Sequence, residues 1–332
     1  MKLWVDVVNE ANARFWRRFL RKYHAPVLLT TRKKGSLVEL LKAMIPDREL
    51  IVCGEWGVTD HEKLINFAER VRELTLLIDE VSLAISKGSV EQARVAFGLG
   101  IPYVAMNDND LPPHVVTKLT FPLATISIVP ECFRGPVYGE TLKFRGVFEV
   151  AHVSDYLESG EFTPSKLDLE EGGYLVVRDP PVGSHYLREA GPFERVLGKL
   201  RSDLKLPIVR VRREGFIELP EGNVVRASLD GLSLIERSAG VISGGGTMAR
   251  EAALLGVPSI SFFPREEPCV SDVLLKANLM AKAGPENLIE LYIKLRRDWE
   301  SGALKERASD FIRRCEDPVD IAIRVVRKLM SH

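Results

Sequence analysis

The stretch "GVISGGGTMAREAALLGVPSISFF", residues 240–263, decides the fold. A short apolar run ends in Ser243, and three glycines follow. Next come a segment of helical period, a Gly-aliphatic-Pro triplet and a second apolar run. That order reads as strand, tight turn, helix, strand. The glycines fall where a strand's carboxyl end meets a helix N-terminus, the edge at which open parallel sheets bind ligands. The first N–H groups of a helix have no internal partners, the helix dipole is positive there, and glycines let a diphosphate approach the backbone. Ser243, Gly244, Gly245, Gly246 and Thr247 are therefore candidate diphosphate contacts, with Thr247 alternatively a helix cap. Glu251, one turn further in, is off the phosphates and suited to accept hydrogen bonds from a ribose. The competing reading is a plain turn with a solvated glutamate, but three consecutive glycines are costly for turning alone. The stretch is not G-x-G-x-x-G, because Ala249 stands at the third position. It is not a P-loop either, because no Gly-Lys-Ser/Thr follows, which disfavours NAD and ATP chemistry.

A second copy of the pattern lies upstream. "AISKGSVEQARVAFGLGIPYVAM" (84–106) also reads strand, Ser, glycine-containing turn, helix, Gly-aliphatic-Pro, strand. Its placement predicts two similar halves. Apolar runs alternate with helical segments along the whole chain: "LWVDVV", "PVLLTT", "ELIVC", "LAISK", "YVAMN" and "TISIVP" in the first half, then "YLVVRD", "PIVRVR", "VVRASL", "GVIS" and "SISFF". Such alternation predicts parallel sheets covered on both faces. The polar stretch "LESGEFTPSKLDLEEGG" (157–173) reads as a linker, which puts one domain at 1–160 and another at 161–332, with the mostly helical last 45 residues free to cross back.

Bulk numbers exclude several classes. The 332 residues suit two domains. Lys+Arg and Asp+Glu stand at 46 each, so the basic excess of a general nucleic-acid binder is missing. Cys53, Cys132, Cys269 and Cys315 are scattered without metal-ligand spacing, which argues for reduced thiols and no metal site. The opening "MKLWVDVVNE", with acids at 6 and 10, is not expected to act as a signal peptide. No apolar run approaches a membrane span, so a cytoplasmic protein is expected.

The glycine turn, Glu251 and Gly256-Val257-Pro258 resemble the nucleotide-sugar site of GT-B glycosyltransferases. In pattern they compare with the glucosaminyltransferase that completes the lipid-linked peptidoglycan precursor and with its relative, the non-hydrolysing UDP-N-acetylglucosamine 2-epimerase. The whole chain is similar to a prokaryotic family of predicted glycosyltransferases of unknown substrate. That likeness rests on "LWVDVVNEANARFW", "VLLTTRKK", "ISKGSVEQARVAFGLGIPYVAMND" and "GGGTMAREAALLGVPSISFFP". The resemblance implies an α/β GT-B fold, with two Rossmann-like parallel-sheet domains facing across a cleft and C-terminal helices. It implies a donor nucleotide sugar, a UDP-sugar, held by the second domain and an acceptor held by the first. No metal or other cofactor is implied. The acceptor is open, with lipid-linked and cell-envelope molecules as the class suggested; oligomeric state is open too.

Further candidates follow from these placements. Arg178, closing a strand in "VVRDPP", is either the basic partner of the diphosphate or a surface group paired with Asp179; Arg250 is expected to face solvent. His185, in the loop "PPVGSHY", either touches the ligand or is simply exposed. In the first half, Asp6, Asn9 and Glu10 follow the first strand. Glu10 is the accessible acid and a candidate general base; Asp6 fits a role in bonding neighbouring backbone. Ser86, Gly88 and Ser89 mark the upstream helix N-terminus, either a second anion site or a capped turn. Asn107 and Asp108 in "MNDND" are candidates for sugar hydroxyls, with Asp108 the second candidate base. "RFWRRFLRKYH" (14–24) reads as an amphipathic helix packed on a sheet, or as a peripheral membrane contact. Two rival functions stand beside a glycosyltransferase. A 2-epimerase needs acids and histidines converging on one sugar, yet its His-Thr-Gly-Gln-His and His-Gly-Asp-Thr stretches have no counterpart here, and the six histidines are not clustered. A non-catalytic nucleotide-sugar binder, or a partner subunit, is the other.

Overall fold

A computed structural model describes residues 1–160, 169–182, 187, 189, 193–212, 216–226 and 230–331. The chain forms two compact units, Met1–Ala151 with Glu316–His332, and His152–Cys315. The division falls at 151/152, ahead of the boundary read from the polar stretch.

In the first unit seven strands alternate with helices: β1 (Leu3–Val7), α1 (Ala13–Lys22), β2 (Val27–Lys33), α2 (Leu37–Met44), β3 (Leu50–Glu55), α3 (Asp60–Leu77), β4 (Leu83–Lys87), α4 (Val90–Gly98), β5 (Tyr103–Met106), α5 (Val115–Thr120), β6 (Ile126–Pro130) and β7 (Thr141–Phe144). All pairings are parallel, in the order β3-β2-β1-β4-β5-β6-β7. β1, β4, β5 and β6 are buried along their whole length, which is why they read as continuous apolar runs rather than alternating ones. The order reverses between β1 and β4, so the ligand edge of this sheet is the pair of loops after Val7 and Lys87.

α6 (Glu149–Ser159) carries the chain into the second unit. There follow β8 (Leu175–Arg178), α7 (Phe193–Asp203), β9 (Ile208–Val211), β10 (Phe216–Glu218), β11 (Val224–Arg226), α8 (Gly231–Glu236), β12 (Gly240–Ser243), α9 (Gly246–Leu255), β13 (Ser259–Ser261), α10 (Cys269–Lys276), β14 (Ala281–Lys282), α11 (Leu288–Glu300) and α12 (Ala303–Arg314). The sheet order is β11-β10-β9-β8-β12-β13-β14. Its central part is parallel, while β10 and β11 form an antiparallel edge ribbon on β9. The described part of "VVRASL", Val224–Arg226, thus pairs antiparallel at the sheet edge rather than adding a further parallel strand. The order reverses between β8 and β12, so the opening stretch lies at the ligand edge of its sheet.

The two copies of the pattern occupy equivalent places. β4 and β12 each stand beside the first strand of their sheet. The Gly-aliphatic-Pro triplets do the same work in both. Gly100 and Gly256 take left-handed backbone at φ 69° and 70°, just past α4 and α9. The next N–H, of Ile101 or Val257, bonds back to Ala96 O or Ala252 O at 2.9 Å, the Schellman closure of a helix. The proline carbonyl then accepts from the neighbouring strand: Ala84 N–H to Pro102 O at 2.9 Å, Val241 N–H to Pro258 O at 2.8 Å.

The last helix, α13 (Pro318–Met330), belongs to the first unit. Asp317 caps it by accepting from Val319 N–H, and Pro318 occupies the first turn, where its missing N–H matters least. Arg18 of α1 donates to Asp317 Oδ2 through Nε at 3.0 Å and Nη2 at 2.8 Å, and Lys22 reaches Asp317 and Asp320. Phe15, Trp16 and Phe19 of α1 are fully buried in edge-to-face contacts, and even Arg14 and Arg18 are buried. The aromatic face of α1 is packed into the fold, as one reading of residues 14–24 expects, but Arg14 and Arg18 are not the solvated groups that reading gives it. No helix among the described residues is long and apolar enough to cross a membrane.

Candidate functional site

β12 delivers Ser243 to the edge of the second sheet. The Ser243 hydroxyl donates to Gly245 O at 2.6 Å and accepts from Gly245 N–H at 3.1 Å, closing the turn on itself. Gly244 N–H donates to Arg178 O at 2.9 Å, which stitches the turn to the end of β8. None of the three glycines takes left-handed backbone. They are needed for space instead, each against something different. A Cβ on Gly244 would sit 2.5 Å from Pro180 Cγ. One on Gly246 would run into the Arg250 guanidinium. One on Gly245 would meet nothing nearer than Pro181 Cδ at 3.8 Å, an ordinary contact. The fold accounts for two of the three glycines; Gly245 has room the protein itself does not use.

α9 begins immediately after, with Gly245 at the cap position and no side-chain cap. Thr247 is therefore inside the first turn rather than capping it, and its hydroxyl accepts from Arg250 Nη2 at 3.5 Å. Arg250, expected on the solvent face, is buried, and its Nη1 donates to Ser271 Oγ at 3.2 Å. The reason is local: Gly246 has no side chain, so the guanidinium one turn on folds back over it. A cation therefore lies at the N-terminal turn of α9. Arg178 donates from Nη1 to Val211 O at 3.1 Å and to Arg212 O, while Asp179 pairs with Arg210 at 2.7 Å.

Glu251 accepts from His152 Nδ1 at 2.8 Å through Oε1. The carboxylate side chain is 14% exposed and the histidine 1%. His152 was missed by sequence reasoning, since a lone histidine in "EVAHVSDY" carries no spacing signal and its partner is 99 residues away. His185 lies outside the described residues.

The ligand edge of the first sheet is built differently. Asp6 is fully buried and accepts four hydrogen bonds: from Thr30 Oγ1 (2.7 Å), Ser89 Oγ (2.6 Å), Arg70 Nη1 (3.0 Å) and Arg70 Nη2 (2.7 Å). Burial by itself would raise its carboxyl, but the Arg70 charge and these hydrogen bonds hold it below the ordinary carboxylate value. Beside it, Arg32 bonds Glu91 at 2.7 Å, and Arg70 is 3.6 Å from the second Glu91 oxygen, so two acids and two arginines neutralise each other out of water. Asp6 bonds side chains, not the backbone neighbours expected of it. Ser89 caps α4 through Gln92 N–H as well as bonding Asp6, and Ser86 bonds the Tyr103 hydroxyl at 2.9 Å. These two hydroxyls are committed inside the fold, which favours the capped-turn reading of this edge. Gly88 takes φ 84°, a left-handed turn between β4 and α4.

The remaining candidates lie around that edge. Glu10 is half-buried, and its Oε1 accepts from Ser36 N–H at 2.7 Å and Ser36 Oγ at 2.9 Å. Asn9 Oδ1 accepts from Lys34. Asn107 is a loop organiser: it accepts from Asp108 N–H and Asn109 N–H and donates to Thr117. Asp108 accepts from Lys87 Nζ at 3.3 Å, and Lys87 lies over the Phe148 ring at 4.2 Å. Among the described residues no group of His, Cys, Asp and Glu is arranged to hold a metal ion.

Comparison with known proteins places this architecture. A family model described as "Protein of unknown function (DUF354)" matches residues 1–330, and the chain belongs to that family. A relative from Methanocaldococcus jannaschii, "Uncharacterized protein MJ0665", is 29% identical over 97% of this chain and 96% of its own. Among solved structures, the UDP-GlcNAc 2-epimerase of M. jannaschii, in complex with UDP-GlcNAc and UDP, superposes with a TM-score of 0.71 at 13% identity over 100% of both chains. The spinosyn forosaminyltransferase SpnP superposes at 0.64, with 16% identity over 99% of both. At these identities the likeness is one of fold, and the fold is GT-B, as the sequence resemblance implied.

Proposed function

We propose that this DUF354 chain is a glycosyltransferase that moves a sugar from a nucleotide-sugar donor, in the first instance a UDP-sugar, to an acceptor hydroxyl. The observation that carries the reading is Gly245: an uncapped helix N-terminus beside a buried arginine, with a missing side chain that no packing contact requires. On this reading the donor diphosphate is met by the backbone of Ser243–Thr247, by the positive end of α9 and by Arg250, with no metal needed. Glu251 accepts a ribose hydroxyl. The first unit recognises the acceptor. The acceptor oxygen attacks the anomeric carbon, the bond from that carbon to the phosphate oxygen breaks, and the nucleoside diphosphate leaves. The acceptor proton passes to a carboxylate base, for which Glu10 and Asp108 are the candidates; Asn9 and Asn107 stand beside them as candidates for orienting sugar hydroxyls. Glu10→Gln or Asp108→Asn, whichever is the base, lowers turnover by roughly 10²–10⁴-fold while donor binding persists.

The test is thermal denaturation with UDP-, GDP-, dTDP- and CMP-sugars on wild type, Gly245→Ala and Glu251→Ala. A donor at about a hundred times its Kd raises the wild-type midpoint by about 5 °C. Gly245→Ala, whose Cβ fits, keeps the unliganded midpoint and loses the shift. If no nucleotide sugar moves the wild type, the donor site is wrong; equal shifts in wild type and Glu251→Ala remove only the ribose role. Incubation with UDP-GlcNAc alone separates the 2-epimerase reading, whose product is an isomeric nucleotide sugar with no UDP released. Binding without consumption of any donor, whatever acceptor is supplied, makes the protein a binder.

A further inference from the structure

The unexplained group beside the nucleotide turn is His152. It lies in α6 and is 1% exposed. Its Nδ1 is 2.8 Å from Glu251 Oε1, and its Nε2 is buried with no hydrogen-bond partner. An ionised carboxylate only accepts, so Nδ1 carries the proton and donates. A fully buried imidazole that leaves one nitrogen unsatisfied is a poor choice for packing alone, since each such group loses its bonds to water without replacement. Among the described residues its one polar contact is to Glu251.

Two further facts fix the arrangement. Tyr156 is one turn along the same face of α6, and its hydroxyl donates to Glu236 Oε2 of α8 at 2.5 Å. α6 is thereby bonded to both α8 and α9. Glu251 itself makes no other hydrogen bond among the described residues: Oε1 is taken and Oε2 is open. A glutamate has three rotatable bonds. Held at one oxygen, it presents the other in a fixed direction, as an outer partner does for a ligating group.

The geometry points to His152 as the positioning residue of the ribose subsite: it fixes the Glu251 carboxylate so that Oε2 accepts the ribose hydroxyl. This rests on the donor-site reading above.

The test compares each nucleoside diphosphate with its dideoxy form by calorimetric titration, using UDP, GDP, CDP and ADP against their 2′,3′-dideoxy counterparts, and dTDP against its 3′-deoxy form. Wild type binds the hydroxyl-bearing form of its nucleotide about tenfold or more tightly, the worth of a hydrogen bond to a charged acceptor. His152→Phe and His152→Gln, which lack a donor at the Nδ1 position, bring that ratio towards one while still binding the diphosphate. His152→Asn, whose amide nitrogen takes the place of Nδ1, restores the ratio. A merely structural histidine changes stability but not the ratio. A folded His152→Phe or His152→Gln with the wild-type ratio overturns the positioning role and leaves the donor site standing. Wild type that binds none of the five nucleotides overturns the donor site and the proposal together.

Discussion

Charge burial gives the sharpest residue-scale expectation. Asp6 is buried against Arg70, Ser89 and Thr30, and its carboxyl is held below its ordinary value of 3.8. A carboxyl lowered on folding adds stability above its unfolded pKa and loses it as pH falls through the folded one. The Asp6 contribution is therefore complete at neutral pH and disappears below about pH 4. Asp6→Asn takes from buried Arg70 the carboxylate that meets it at two points and leaves it the more distant Glu91, at a cost of roughly 3 kcal/mol at pH 7, and urea titrations at pH 7 and pH 3 should show the difference between wild type and variant shrinking on acidification. Sequence alone singled out Asp6 as an acid inside an apolar strand but could not supply Arg70, which is 64 residues away. The same holds for Glu251, legible from its place after the glycines, and His152, which was not.

Elements were far more legible than contacts. The central parallel strands of the two sheets show in the sequence as apolar runs, because a strand covered on both faces needs no polar alternation. The strands that escaped notice are edge pieces of two to four residues: β7, β10 and β14. The glycine turn shows how element packing assigns meaning to residues that look alike. Gly244→Ala drives a Cβ into the proline ring after β8 and should cost about 1–3 kcal/mol by forcing that loop aside. Gly246→Ala meets only the end of a long side chain. It should change stability by less than about 1 kcal/mol, with the helical gain of alanine opposing the displaced Arg250. Chemical denaturation of the two variants side by side checks the order; equal losses would mean that Pro180 is free to move.

On the scale of the whole molecule, the return of α13 to the first unit is the feature with the largest consequence. It buries Ala322 and the larger Val319, Ile321, Ile323, Val325 and Val326, the latter each worth on the order of 1.5 kcal/mol or more, against a total stability typically of about 5–15 kcal/mol. A chain ending at Cys315 should therefore lose the first unit, seen as rapid proteolysis within residues 1–151. Asp317→Ala, which loses the cap and the Arg18 bond together, should cost about 1–3 kcal/mol at neutral pH. Burial opposes and Arg18 favours the charged Asp317, with the net lowering its pKa, so this loss also fades below about pH 4. By itself the sequence determined two parallel α/β halves, the twin strand–turn–helix–strand units at their centres and the glycine edge, because these follow from local period and turn chemistry. Only the tertiary structure decided that the last helix serves the first unit, that the Arg250 side chain turns inward beside the glycine turn, and that His152 holds Glu251. Each of those joins groups distant along the chain or turns a side chain inward, and hydrophobic period does not encode which buried polar group finds which partner.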